Sequence, residues 1–354
     1  SIIIITLVCG SKTTNGQIPS SGSKSSGKDF KFMPIPYINY DRTQDFSFGL
    51  IPIAMYGLNK NDTISPTSIS GGFGMYTTNK SWFVLQFNKW YFNEDRYRAI
   101  LIAGTGDFNS QFYLELPVFS DFIDYSTAVG FFKIELQRKI KGNLYAGLNY
   151  LHLKLLTQFD INDNMDNKQQ QKANLNGLGA IISLDERDDV YYPHKGLITN
   201  LKYNAFPEFA GNDFVSNKME LDINKFFEMK NKRDIIGVRL YTGIGIGDLN
   251  FNQQFVVGNN DIRGYTENKY RGKQIIALQG EYRWNPKEKL GFVGFAGVAS
   301  VFSGINESDN GKLLPSVGTG FRYLVFPKNH MNVGMDFAAG VGDWGIYFKI
   351  GEAF

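Results

Sequence analysis

The sequence contains a single cysteine and only three histidines among its 354 residues. One cysteine cannot form an intrachain disulfide, so the fold must depend on packing and hydrogen bonds. Long hydrophobic runs are also lacking: the longest, residues 2–8, is far shorter than the ~20 apolar residues of a transmembrane helix. Charged residues make up 20% and the net charge is only +3, too little to indicate a nucleic acid or an acidic partner. Because no hydrophobic run is long enough, a bundle of transmembrane helices is excluded.

Aromatic residues and glycine are abundant, with 30 Phe, 19 Tyr, 4 Trp and 38 Gly. A hydrophobic content of 43% can bury a large core, so a disordered chain is also excluded. Length alone would favour two soluble domains, because one compact domain rarely exceeds about 300 residues. Many aromatics and glycines without helical spans instead favour a set of β-strands closed within a membrane.

The first thirty residues differ in composition from the rest of the chain. Residues 1–10 resemble the hydrophobic tail of a secretory signal, and a buried strand is the alternative. Cys9 follows this apolar stretch and is a candidate lipidation site, although Val8 stands where a small residue is usual. Residues 11–30 are rich in Ser, Gly and Lys, which predicts a flexible segment. We expect the folded barrel to comprise residues 31–354.

From residue 31 onward the hydrophobic pattern has a period of two, which is typical of β-strands. In residues 235–246, for example, apolar side chains alternate with small and polar ones: Ile236, Val238 and Leu240 against Gly237, Arg239 and Tyr241. Strands of soluble proteins usually have ~5–6 residues, whereas a tilted strand needs ~10 to cross a bilayer. The segments here have roughly 10–13 residues, so they predict membrane-crossing strands.

Sixteen such segments follow one another along the chain. They cover residues 31–41, 45–58, 67–77, 81–91, 96–106, 127–138, 143–156, 174–185, 196–206, 215–228, 232–247, 273–284, 289–302, 313–325, 331–341 and 345–354. An even number suits a closed antiparallel barrel, which leaves no unpaired strand edge in lipid. Short connections alternate with long ones at 107–126, 157–173, 248–272 and 303–312, as in barrels with short periplasmic turns and long external loops.

One long connection contains a specific motif. Residues 257–265 read Val-Gly-Asn-Asn-Asp-Ile-Arg-Gly-Tyr, and the last four are Ile262, Arg263, Gly264 and Tyr265. This segment resembles the V/I-R-G-F/Y signature of the BamA/TamA-like outer-membrane assembly superfamily, which lies in the sixth external loop before the twelfth strand. The independent strand count places it between the eleventh and twelfth segments, in agreement.

Two further stretches support the resemblance. Residues 184–196 are similar to the family's D-x-R-D…P-x-x-G periplasmic turn, through Asp185, Arg187, Asp188, Pro193 and Gly196. The chain ends in a segment that is similar to the family's closing strand, through Phe348, Ile350, Gly351 and Phe354. The resemblance implies a 16-stranded antiparallel transmembrane β-barrel with an infolded sixth external loop. An ordinary surface loop carrying one arginine is the alternative.

An infolded loop would bring Arg263 into the barrel lumen, where an isolated guanidinium is costly and needs carboxylate partners. Glu281 is the predicted partner, because it lies on the lumen-facing side of the twelfth segment, and the resemblance implies an acid there as well. Family members often have a second acid on the thirteenth strand, but residues 294–302 contain none. Glu281 alone, Asp336 or Asp222 could take over this role.

Sites for catalysis or metal binding are not evident. His152, His194 and His330 lie on distant segments without metal-ligand spacing. No Gly-x-Ser-x-Gly elbow is present, and the glycines of residues 243–247 lie inside a strand rather than before a helix. We therefore expect no catalytic residues, no metal and no cofactor, with an outer-membrane hydrolase as a minor alternative.

The sequence thus predicts a non-enzymatic barrel in the outer membrane of a Gram-negative cell. It would assist the insertion, translocation or assembly of outer-membrane components, through a junction of first and last strands that opens laterally. Pro34 and Pro36 in the first strand and Gly345 and Gly351 in the last are compatible with such a weak junction. The expected partners are outer-membrane lipids and proteins or clients at this junction, and no nucleic acid.

One departure from the family concerns the N-terminal side. Family members that insert or secrete proteins normally have periplasmic POTRA domains, which capture clients by β-augmentation. Only the flexible segment precedes the first strand here, so we expect a barrel-only member without POTRA domains. The alternative function is a passive channel or a structural subunit of a larger complex, with the sixth loop plugging the lumen.

Overall fold

The computed structural model describes residues 30–41, 45–116, 119–160, 169–231, 233–249, 253–258, 261–266, 269–304, 306–326, 330–352 and 354. The predicted signal remnant at 1–10, the candidate lipidation site Cys9 and residues 11–29 of the flexible segment lie outside this part.

Sixteen long strands form one antiparallel sheet in which the spatial order equals the chain order. They are β1 (Lys31–Asp41), β2 (Asp45–Tyr56), β3 (Ser68–Thr77), β4 (Trp82–Phe92), β5 (Tyr97–Leu116), β6 (Phe119–Lys141), β7 (Leu144–Asp160), β8 (Gln169–Asp185), β9 (Gly196–Phe206), β10 (Ser216–Glu228), β11 (Ile235–Gly247), β12 (Gln274–Trp284), β13 (Leu290–Phe302), β14 (Leu314–Phe326), β15 (Met331–Gly340) and β16 (Asp343–Ile350). The sheet curves into a nearly closed barrel, which confirms the predicted all-β, sixteen-stranded architecture.

Helical structure is minor in this barrel. The short 3-10 turns Glu208–Ala210 and Glu307–Asp309 lie in connections between strands. Two short strands, Phe255–Val256 and Arg271–Gly272, pair with each other inside the β11–β12 connection. Within the described ranges, no helix is long and apolar enough to span a bilayer.

The two faces of the sheet have opposite character. On β12, Gln279, Glu281 and Arg283 are at most 3% exposed, whereas Leu278 and Trp284 are about half exposed at 49% and 50%. Apolar side chains thus point outward and charged ones are enclosed, the reverse of a water-soluble protein. Such an outer face is stable in contact with lipid, as the alternation of the sequence predicted.

Four strands are longer than expected. Residues 107–126 and 157–173 were predicted as loops. Instead, β5 continues to Leu116 and β6 begins at Phe119, while β7 continues to Asp160 and β8 begins at Gln169. The prediction was wrong because outward residues such as Gln158 and Lys172 are polar, while inward residues such as Phe108 and Ala173 are apolar and buried. We refer to residues 108–116, 119–127, 152–160 and 169–177 as the raised wall.

The barrel has two distinct ends. The turn end carries the tight β6–β7, β10–β11 and β12–β13 connections, and the loop end carries the raised wall and the β11–β12 connection. Toward the loop end the interior is filled by an apolar cluster around Phe83, whose ring stacks on Phe131 at 6.1 Å between centroids. At the turn end, Val190 and Tyr191 of the β8–β9 connection pack against β1–β4.

The first and last strands, β1 and β16, stand at the two ends of the hydrogen-bonded strand order. They are nevertheless neighbours, since the Tyr37 and Phe348 rings meet edge to face at 5.7 Å. Among the described residues no ladder joins the two strands. We call this junction the seam.

The closing strand is shorter than predicted. It was expected over 345–354, but β16 ends at Ile350, so Gly351 and Phe354 are not part of it. Gly351 has a φ of +79°, a conformation that redirects the chain and that L side chains rarely adopt. Beyond it, Glu352 and Phe354 are each 3% exposed. The chain therefore turns into the barrel after β16, drawn by partners of Glu352 that are described below.

Candidate functional site

The predicted loop motif, residues 262–265, is buried. Ile262 is fully buried, and Arg263 and Tyr265 are each 2% exposed. In the connection that carries them, the short strands Phe255–Val256 and Arg271–Gly272 pair with each other and bring the two ends of the connection together. Gly264 has a φ of +106°, and a Cβ atom there would lie 2.8 Å from the backbone carbon of Ala339. The backbone therefore approaches β15 as closely as only glycine allows.

Arg263 contacts two acids on two different strands. Its Nη2 donates to Glu281 Oε2 at 2.9 Å, and its Nη1 donates to Asp336 Oδ2. The guanidinium carbon also lies 3.3 Å from the centroid of the Phe295 ring, in cation–π contact. Gln279 Oε1 accepts from Nη2 as well, at 3.3 Å, so β12 contributes two side chains to the surroundings of this arginine and β13 and β15 contribute one each.

The same acids bind further arginines. Arg283 Nε donates to Glu281 Oε1 at 2.9 Å, and Arg322 Nη1 donates to Asp336 Oδ1 at 2.5 Å. Arg322 Nε also donates to Glu352 Oε2 at 3.0 Å, and that oxygen lies 3.7 Å from Arg283 Nε. Each carboxylate thus touches two guanidinium groups. We call this set the interior network; its members are Arg263, Glu281, Arg283, Arg322, Asp336 and Glu352.

The sequence identified part of this network. The structure brings Arg263 together with Glu281 and with Asp336, one of the two acids considered as substitutes on another strand. Asp222, the other, instead binds Arg239 at 2.7 Å. Arg322 was missed, although its place on the enclosed face of β14 is visible in the alternation. Glu352 was missed because its segment was expected to be a strand.

The segment around the loop motif is also hydrogen-bonded to the last strands. The backbone N–H of Gly264 donates to Tyr347 Oη at 2.8 Å. Thr266 donates to Asp343 through its N–H at 2.7 Å and through its hydroxyl at 2.8 Å. Tyr265 donates its hydroxyl proton to Pro315 O at 2.6 Å. Two residues of β16, Asp343 and Tyr347, therefore accept hydrogen bonds from this connection.

The predicted turn motif within residues 184–196 forms a second polar cluster at the turn end. Asp185 accepts two hydrogen bonds from Arg187, at 2.7 and 3.0 Å, and one from Arg98 of β5 at 3.1 Å. Pro193 is buried within the turn, and β9 begins at Gly196. The ion pairs join the turn to the barrel wall.

Asp188 organises the backbone of the same turn. Its Oδ1 accepts from the N–H groups of His194 at 2.9 Å and Lys195 at 3.1 Å. Burial opposes ionisation of this carboxyl group, yet the hydrogen bonds from His194 and Lys195 hold its pKa below the usual value. Asp188 is therefore a charged acceptor that fixes the turn.

Asp189 connects the turn to another connection. Its Oδ1 accepts from the N–H groups of Tyr191 at 2.8 Å and Tyr192 at 3.0 Å, and its Oδ2 lies 2.9 Å from His330 Nδ1. The hydrogen bond with Asp189 raises the pKa of His330, although burial opposes the shift. The β8–β9 and β14–β15 connections are thus joined by a titratable pair.

Comparison with known proteins identifies a family and several barrels of similar fold. The Omp85 superfamily domain matches residues 65–354. BamA from Haemophilus ducreyi lacking POTRA domains 1–3 is 13% identical, with a TM-score of 0.56 over 94% of this chain and 69% of that one. CdiB from Acinetobacter baumannii is 13% identical, with a TM-score of 0.60 over 92% of this chain and 60% of that one.

CdiB from Escherichia coli has a similar fold, at 9% identity and a TM-score of 0.62 over 93% of this chain and 63% of that one. This chain thus spans 60–69% of the length of these three structures. Among curated protein sequences, none matches it significantly. The resemblance inferred from the three sequence motifs is confirmed at the level of the family.

Proposed function

This chain belongs to the Omp85 superfamily, and we propose that, as an outer-membrane β-barrel, it assists the insertion, translocation or assembly of outer-membrane components. Its work is non-covalent: it provides a surface on which another polypeptide pairs or passes. The observation that carries the proposal is the seam, where β1 and β16 are neighbours without a ladder among the described residues.

The prolines of β1 explain why the seam is weak. Pro34 lies directly opposite Pro52 of β2, and neither residue has an N–H group. This pair cannot exchange hydrogen bonds, so it is a non-hydrogen-bonded position at which the backbone of β1 points away from β2. Pro34 and Pro36 therefore face the seam and offer no donor to β16. The β1–β2 ladder keeps its bonds, and the junction with the last strand loses them.

The β11–β12 connection limits movement of the last strand. Separation of β16 from the barrel would break the bonds from Gly264 to Tyr347 and from Thr266 to Asp343. It would also pull on Asp336, which lies on the neighbouring strand and binds Arg263. In this proposal the loop motif, folded into the lumen, keeps the seam closed until a client pairs with it.

A crosslink across the seam tests the proposal. Tyr37→Cys and Phe348→Cys, in a Cys9→Ser background, are joined by a short reducible thiol crosslinker. The control pair, Phe337→Cys and Ile346→Cys, joins β15 to β16 at a position where a ladder already exists. Both proteins are reconstituted in liposomes, and the folding rate of an unrelated eight-stranded outer-membrane barrel is measured.

We expect the seam crosslink to reduce this rate to that of protein-free liposomes, and a reductant to restore it. The control crosslink should leave the rate unchanged, because it adds nothing to a junction that is already paired. Equal rates for the two crosslinked proteins would show that the seam does not open during the reaction and would overturn the proposal.

A further inference from the structure

The raised wall has an edge on β8 that no described strand covers. β9 pairs with β8 only from Leu178, which faces Ala205, toward the turn end. β8 continues for nine more residues, and over 169–177 it pairs with β7 alone among the described residues. An uncovered strand presents a row of backbone donors and acceptors to its surroundings.

A side chain shows which way these backbone groups point. Asn212 of the β9–β10 connection accepts from the N–H of Asn176 at 2.7 Å and donates to its carbonyl at 3.0 Å. In these two bonds the N–H donates and the C=O accepts, as they would toward a neighbouring strand. The N–H and C=O groups of Asn176 therefore point away from β7. Every second residue of an antiparallel strand points the same way. The backbone of Lys172 and Asn174 is therefore directed outward, and no described residue pairs with it.

The opposite edge of the wall ends in the same manner. Asn109 of β5 donates its N–H to Ser81 Oγ at 2.9 Å and accepts from Asn79 Nδ2 at 3.0 Å. At each edge, side chains thus take the place of a strand at the level where the neighbouring strand ends: Asn212 at β8, and Ser81 with Asn79 at β5. The ladder at β8 is continued by one residue and then stops, although the backbone beyond it remains in strand geometry.

The surroundings of the β8 edge indicate what would fit there. Ala173 and Leu175 are buried on the inner face, whereas Lys172 and Asn174 are exposed on the outer face. The adjacent turn Glu208–Ala210 carries Phe209, which at 85% is the most exposed large apolar side chain of the described chain. An added strand would place apolar residues inward, polar residues outward, and an apolar contact beside Phe209.

Charge argues against a second copy of the same edge. Lys172 is the only charged residue in 169–179. A two-fold pairing that engages residues 170, 172 and 174 would set Lys172 opposite Lys172, and like charges in a facing pair are destabilising. An acidic residue at that position of another chain would instead be favourable.

We propose that the β8 edge over residues 170–174, together with Phe209, docks an extended polypeptide strand with alternating apolar and polar residues and an acid facing Lys172. The strand adds to the raised wall by backbone hydrogen bonds, as in β-augmentation. This site is on the loop end and is separate from the seam, so it does not rest on the function proposed above.

Peptide binding tests the site. Two fluorescent nine-residue peptides of alternating Thr and Val, one with a central Glu and one with a central Lys, are titrated against the full chain in lipid nanodiscs. We expect the Glu peptide to bind several-fold more tightly, and Lys172→Glu to reverse this preference. Lys172→Pro removes one outward donor without touching the β7 ladder, and should weaken binding of both peptides about tenfold.

Controls separate docking from misfolding and from self-association. Phe209→Ala should weaken binding of both peptides equally, and a Glu peptide with N-methyl groups at alternate residues should not bind. Every variant must keep the heat-modified gel mobility of the folded barrel. The proposal is overturned if neither peptide binds, if Lys172→Pro has no effect, or if the chain is a dimer that Lys172→Pro dissociates.

Discussion

Arg263 is the residue on which the enclosed charges most depend, because it binds Glu281 and Asp336 at once. We predict that Arg263→Ala lowers the free energy of unfolding by about 3–5 kcal/mol, since two buried carboxylates lose a partner. Arg263→Lys should give an intermediate loss, because an ammonium group cannot bridge both acids as a guanidinium does. Urea unfolding in detergent micelles, followed by tryptophan fluorescence, measures these changes.

Arg96→Ala is the matched control for this comparison. Arg96 lies 3.8 Å from Glu94 in an exposed pair, so its loss should change the free energy of unfolding by less than about 1 kcal/mol. Equal stability of the Arg263→Ala and Arg96→Ala variants would contradict the role given to the interior network.

His330 adds a dependence on pH at the turn end. Its pKa is raised in the folded chain by Asp189, so the protonated pair stabilises the fold fully below the unfolded pKa of about 6.5. This contribution is lost as the pH rises through the folded pKa. We predict that His330→Gln flattens the decline in stability from about pH 6 to pH 8. His152→Gln, which removes a contact with the amide of Asn176, serves as control and should leave the decline intact.

At the residue scale, sequence reasoning was effective where one strand face explained a side chain. Glu281 could be placed in the interior from its neighbours on β12. Glu352 could not, because its position depends on the change of direction at Gly351 and on arginines from β12 and β14. The contact of Phe295 with Arg263 could not be predicted either, since an aromatic residue on the enclosed face of a strand does not indicate that a cation lies against it.

The raised wall is the element that the sequence described least well. We predict that replacing residues 112–123 by Asn-Gly, which joins Gln111 directly to its ladder partner Asp124, leaves the barrel folded. Among the described residues the removed segments pair only with each other, because β4 pairs with β5 no further than Asp107 and β7 pairs with β6 no further than Asp124. Heat-modified gel mobility and the yield of refolding should equal those of the full chain; a variant that fails to refold would show that the wall is needed for barrel closure.

Strand number and order could be derived from alternation, whereas strand ends could not. Inside the membrane, lipid requires apolar outward residues, so the period of two is clear. Beyond the membrane water accepts polar residues on the outer face, and the pattern of β5–β8 fades although the ladder continues. The extra length of these strands rests on hydrogen bonds and on inward residues such as Phe108 and Ala173, which a local interpretation of polarity misses.

At the scale of the whole molecule, the interior is occupied at three levels. The apolar cluster lies toward the loop end, the interior network binds the loop motif, and the β8–β9 connection packs into the turn end. We predict that the chain gives low conductance in planar lipid bilayers and that Arg263→Ala increases it, because the loop is then held less firmly. Large, stable conductance in both proteins would favour the passive channel instead.

The raised wall also makes the rim of the barrel oblique. Its nine residues on β8 rise about 30 Å along the strand, less its tilt, whereas β15 and β16 are joined across only Val341 and Gly342. With the loop end facing the cell exterior, as we expect, the wall would shield one side of the barrel mouth from large molecules and leave the other side open. We expect an antibody to reach the raised wall in an intact cell, whereas the low side next to the seam extends much less far from the membrane. Surface labelling of this protein should therefore report on β5–β8 and be almost silent about the strands that are proposed to open.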